Sequence, residues 1–222
     1  MSKLTDSRGS CVAIACVALV LLAGCGGNSE PEAGGSDGKP LNAQETQAIL
    51  PDAKAMPGWR VSLAPTAYPL EEAVSKGVTR CHGEEGNSCD NVQFTGASTF
   101  LADGKPVVSF LAFAYKDTAS AESAYESVWE AWKERTPEAR KLNLGAVGER
   151  RDAVRGLNAS MDEGSKGAIA QVRVGAVIVL VTGEAAPKVD MADTLITKFA
   201  TTFSERAREA QDGKTPTATL GA

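Results

Sequence analysis

The chain has 222 residues, a formal net charge of −5 and a single histidine. That length gives one domain of ordinary size with a real core and leaves two domains cramped. The acidic balance argues against a nucleic-acid partner and against a polybasic grip on anionic lipid.

Lys3 and Arg8 supply a positive start, and Val12 to Ala23 supply an apolar run too short for a spanning helix. The run ends in Leu22, Ala23, Gly24 and Cys25, a lipobox. Leu22 is the branched apolar residue, and Ala23 and Gly24 are small enough for a signal peptidase to hold an extended backbone. The Cys25 thiol is expected to take a diacylglyceryl group. A rival attachment at Cys16 lacks a Leu-like residue three positions upstream and leaves a very short apolar core. An uncleaved anchor helix would want about 20 apolar residues. The expected organisation is a cleaved signal over 1–24, the lipidated Cys25 and a flexible tether over 25–40, one globular domain over 41–211, and a disordered tail over 212–222.

The tether, from Gly26 to Lys39, is glycine, serine, proline and acid. Asn42 and Glu45 have the spacing of a capping box, and Pro51 closes a short helix after Leu50. Pro57, Pro65 and Pro69 leave room for a short strand around Trp59 to Leu63 and little else. Glu71 to Lys76 adds a turn or two of helix. From Val92 the period switches to two: Val92 to Phe100, a tight turn at Asp103-Gly104, and Val107 to Tyr115 predict a hairpin. Ser120 to Arg135 carries Ala121, Tyr125, Val128, Trp129 and Trp132 on one helical stripe. Strands are expected at Glu149 to Val154, Leu157 to Asp162, and Ala168 to Thr182, with a turn at Arg155-Gly156. The last run is broken at Val174-Gly175 because it exceeds ordinary strand length. Pro187 to Glu209 closes the domain as a helix with Met191, Leu195, Phe199 and Phe203 on its buried face.

The pattern predicts an α+β fold, an antiparallel sheet of about five to six strands with helices packed mainly on one face. The other face is then wet or a binding surface.

Cys11 and Cys16 leave with the signal and Cys25 is alkylated. Cys81 and Cys89 remain, in an oxidising compartment, and are expected to form a disulfide worth about 2–3 kcal/mol for so short a loop. A metal site on Cys81, His82 and Cys89 lacks a fourth ligand and the usual zinc spacing. The lone histidine, His82, leaves no place for an ordinary nucleophile–histidine pair, and no Gly-x-Ser-x-Gly, His-Glu-x-x-His or phosphate loop is present. The carboxylates fall mainly on helix faces and turns, the pattern of solvated surface. Trp129 and Trp132 are read as core at helical spacing. Trp132, near the end of its stripe, is the better candidate for a ligand-cleft wall. Trp59, in irregular chain after Pro57-Gly58, is the other, with cover over the core as its default role.

Leu50-Pro51, Pro57-Gly58-Trp59, a cysteine loop before a strand, Ala114-Tyr115 ahead of an alanine-rich helix, and Val172-Arg173-Val174-Gly175 before an apolar strand together resemble secreted actinobacterial lipoproteins. More distantly they are similar to the extracellular sensor domains of PknH-like serine/threonine kinases. The resemblance implies a sheet and helices framing a cleft, and ligand sensing rather than catalysis. The chain departs from those sensors in having one expected disulfide instead of two, and neither a kinase nor a transmembrane helix.

The leading expectation is a lipid-anchored, non-catalytic binding or sensor-like domain at the outer face of the cytoplasmic membrane. It would serve a cell-envelope ligand or a membrane protein partner, with no cofactor, metal or nucleic acid. A carrier of lipid or another apolar molecule is the alternative, and a carboxylate-dependent envelope hydrolase the second.

Overall fold

A computed structural model describes residues 38–79 and 89–221. Asn42 caps α1 (Ala43–Ile49) by accepting from the Glu45 N–H, while the Glu45 carboxylate accepts from the Asn42 N–H, both at 2.9 Å. This is the expected capping box. β1 (Arg60–Pro69) runs straight through Pro65, where only a short strand was expected. It is an edge strand with register shifts between Val61 and Leu63 and between Leu63 and Thr66. An edge position tolerates a proline because no neighbour wants the missing N–H. α2 (Leu70–Ser75) follows directly.

β2 (Val92–Leu101) and β3 (Val107–Tyr115) form the expected hairpin, pairing antiparallel from Val92–Tyr115 to Phe100–Val108. The carboxylate of Asp117 accepts from the Ser120 N–H at 2.7 Å and starts α3 (Thr118–Lys133). A two-residue strand missed in the sequence, β4 (Arg140–Lys141), pairs with β5 (Arg150–Leu157). β5 passes unbroken through Arg155-Gly156, where a turn was expected. A Cβ on Gly156 would meet the Pro137 carbonyl oxygen at 2.3 Å. The glycine is there for close backbone approach, not for a turn. Residues 158–165 then form the turn, and β6 (Lys166–Val174) and β7 (Val177–Ala185) flank the predicted break at Gly175.

The sheet has seven strands, against five to six expected, in the order β1-β2-β3-β7-β6-β5-β4 with every neighbouring pair antiparallel. Two meanders meet at the β3–β7 pair. The closing helix, α4 (Asp193–Gln211), starts later than the Pro187 expected for it.

Both faces are covered. On one, α4 packs over β6 and β7 and α1 over β1 and β2, around a core that holds Phe110, Val177, Val179 and Val181. On the other, α3 places Ala121, Tyr125, Val128 and Trp129 on Leu111, Phe113, Ile178 and Leu180. The expectation of helices mainly on one face is corrected here. The reason lies in β3 and β7, which are apolar at consecutive positions and so need cover on each side.

The ends of the domain also differ from expectation. Gly38 lies against Gly175 and Gln211, so closely that a Cβ on it would meet the Gln211 Oε1 at 1.8 Å. Residues 38–40, expected in the tether, therefore belong to the packed domain. The tail expected to be disordered over 212–222 folds back on α4 instead, as far as it is described. Glu209 accepts from the Thr217 N–H at 2.6 Å and from its hydroxyl at 2.7 Å. The Leu220 N–H donates to the Ala55 carbonyl at 2.8 Å, and the Leu220 side chain joins the α4-face core. A polar composition hid these partners, because what holds the segment is chiefly its own backbone.

Arg206 is the knot of this end, 6% exposed. Its guanidinium donates to the carbonyls of Ala48 at 2.8 Å, Ile49 at 2.9 Å, Leu50 at 3.3 Å and Ala218 at 3.1 Å. One cation thus satisfies the carbonyls left open at the end of α1 and holds the C-terminal segment.

Candidate functional site

The two tryptophans proposed as cleft walls part company. Trp59 is 8% exposed and sits in the α4-face core, its ring 5.4 Å edge-on to Phe199 and capped by the Lys105 ammonium at 5.2 Å. It is core cover, not a cleft wall. Trp132 lies at the end of α3, partly buried against the opposite core. It lines a cleft of about 660 Å³ together with Val78, Ala131, Glu134, Arg135 and Ser160.

Three pieces of chain frame this cleft: the turn after α2, the last turn of α3, and the β5–β6 turn. The α3 wall is held on two sides. The Arg135 N–H donates to the Trp132 carbonyl at 3.1 Å, which prolongs the helix by a tight turn. The Arg135 carbonyl accepts from the Ala159 N–H at 3.2 Å, and the Pro137 carbonyl from the Leu157 N–H at 2.9 Å. The chain leaving α3 is thereby tied to the run-out of β5. The Arg135 guanidinium carbon lies 4.4 Å from the centroid of the Trp132 ring, stacked over it. Its volume puts the cleft in the range of small-ligand sites. The sequence pointed to Trp132 but missed Arg135, whose position at the edge of the helical stripe gave no signal.

A second depression, of about 320 Å³, lies between α3 and β4–β5 and holds Glu126, Lys133, Lys141, Arg150 and Asp152. Its charges answer one another. Glu126 pairs with Arg150, whose guanidinium stacks 4.2 Å over the Tyr125 ring, and Glu130 pairs with Lys133 at 3.1 Å. Burial, then the Asp152 carboxylate, pushes the Tyr125 phenol well above its ordinary range. The Tyr125 hydroxyl donates to the Gln171 carbonyl at 3.1 Å, and the Gln171 side-chain amide returns a bond to the Tyr125 carbonyl at 2.8 Å. This arrangement locks α3 to β6.

Leu22, Ala23, Gly24, Cys25 and Cys81 lie outside the described residues, as does His82. Cys89 stands just before β2, its carbonyl accepting from the Val92 N–H at 3.2 Å. Among the described residues no group of three or more His, Cys, Asp or Glu side chains stands together for a metal ion, and no helix is long and apolar enough to cross a membrane.

No family profile matches the chain, and no curated protein matches it. Among solved structures it is similar to the crystal structure of the extracellular domain of PknH from Mycobacterium tuberculosis, at 11% identity and a TM-score of 0.46. The similarity covers 79% of this chain and 99% of that one, and is a distant one in fold.

Proposed function

We propose that this protein is a lipid-anchored extracytoplasmic binding domain, non-catalytic, whose ligand sits in the Trp132–Arg135 cleft. The observation that carries the reading is the cleft itself: a concave site of small-ligand size, with an aromatic wall, backed by a helix and a strand that are each fixed to the sheet. The lipobox at Cys25 supplies the anchor and the compartment, and the Cys81–Cys89 disulfide closes the loop between the α2 turn and β2.

Native mass spectrometry of the mature protein, released from detergent and compared before and after denaturation, tests the reading. A mass above that of the lipidated, disulfide-bonded chain that disappears on denaturation, and that is absent from Trp132→Ala, is the expected result. A bound molecule that survives Trp132→Ala places binding elsewhere. In the same spectra, loss of the acyl mass in Cys25→Ser reports on the anchor, and a gain of two hydrogens on reduction reports on the disulfide.

A further inference from the structure

Resting on the cleft being the binding site, we propose that it selects an anion, with Arg135 gripping a carboxylate or phosphate group of the ligand. Most of the arginines on this domain that make side-chain contacts are already engaged. Arg140 and Arg155 share Asp193, Arg173 faces Glu149, and Arg206 is taken up by carbonyls. Two are stacked on aromatic rings, and they differ in one respect. Arg150, over Tyr125, has Glu126 against its edge. The Arg135 guanidinium, over Trp132, has no ion pair or hydrogen bond among the described residues.

Stacking fixes the plane of a guanidinium and leaves its N–H edges pointing outward in that plane. These edges match the two oxygens of a carboxylate or phosphate. Arg135 therefore offers the same half of a pair that Arg150 has completed within the chain, but on the wall of the cleft. Its contact with the Trp132 ring limits the side-chain freedom left to lose when an anion docks. Ser160 lines the same wall and adds a hydroxyl, while Val78 and Ala131 add apolar surface. Glu134, also on the wall, disfavours a ligand that is anionic throughout. The class that fits carries one carboxylate or phosphate on a body with both polar and apolar surface.

The test is heteronuclear NMR of the tryptophan indoles in the mature protein, titrated with inorganic phosphate and with glucuronate, and with glucose as the uncharged match. Saturable shifts of the Trp132 indole with either anion are expected. Affinity should fall about tenfold or more in Arg135→Gln and recover in part in Arg135→Lys, which keeps the charge but not the fork. Phosphate and glucuronate separate a phosphoryl from a carboxylate ligand by which one saturates first. Equal binding of glucose and glucuronate, unchanged in Arg135→Gln, overturns anion selection while leaving the cleft as a binding site. No saturable shift with either anion also overturns it. The cleft reading then rests on the native mass spectra alone.

Discussion

The two faces of the sheet have been closed by different means. The α4 face is sealed by aromatic rings: Phe110 is 0% exposed and meets Phe100, Phe199 and Phe203 edge-on at 5.9, 5.7 and 5.4 Å. Arg206 and the returning C-terminal segment lock it from outside. The α3 face has polar groups within its packing, the Tyr125–Gln171 pair among them, and its helices α2 and α3 leave between their ends the cleft that Trp132 and Arg135 line. One face supplies stability and the other tolerates an opening. A single sheet can hold a binding site only if the second face makes good the burial that the first gives up.

Substitutions should sort along that division. Phe110→Ala removes the ring at the centre of the sealed face and should lower the unfolding free energy by about 3–5 kcal/mol, read by urea denaturation. A loss below about 1 kcal/mol would mean that the aromatic cluster does not carry that face. Arg206→Leu leaves four carbonyls without their donor and should cost about 2–3 kcal/mol. It should also raise hydrogen exchange across residues 214–221, and unchanged exchange there would show that the segment is held by Leu220 alone. Tyr125→Phe on the other face removes one bond to the Gln171 carbonyl and should cost about 1 kcal/mol.

Acid offers a smaller and more local way to separate the faces. Burial raises the Glu209 carboxyl, but its bonds from Thr217 and Ala218 and the nearby Arg206 outweigh burial and hold it below its ordinary 4.5. A carboxyl lowered by folding stabilises above its unfolded value, and that contribution is lost as the pH falls through the lowered folded value. Exchange protection over 214–221 should therefore begin to fall below about pH 4.5. In Glu209→Gln the acid-dependent step should be missing. An unaltered acid profile in that variant would assign the step to other lowered carboxyls such as Asp193, held down by Arg140 and Arg155. Smallest in stability, Arg135→Gln should shift unfolding by no more than about 0.5 kcal/mol, because its side chain is exposed, while emptying the cleft of its anion.

Much of the fold was legible wherever a local pattern controlled it. The capping box at Asn42 and Glu45, the alternation from Val92 to Tyr115 and the stripe from Ala121 to Trp132 each act within a few residues of chain. The departures share a physical cause, since each depends on a partner outside the local repeat. Gly156 reads as a turn until Pro137 is laid against it, Pro65 reads as a strand breaker until β1 proves to be an edge, and the tail reads as disordered until Glu209 and Arg206 reach it. At the candidate site, Trp132 was visible through its place at the end of the stripe. Arg135 was not, because an exposed arginine acquires meaning only from the ring beneath it and the absence of a carboxylate beside it.

By itself the sequence determined the α+β class, since this follows from residue identity and short-range periodicity. The apolar run from Val177 to Val181 called for cover on both sides of its strand; only the tertiary structure decided which helices supply it, that Trp59 is core while Trp132 borders a cleft, and that the C-terminal segment is bound. A gap between two helix ends and a backbone captured by an arginine arise only when separate elements come together, and no local pattern encodes them.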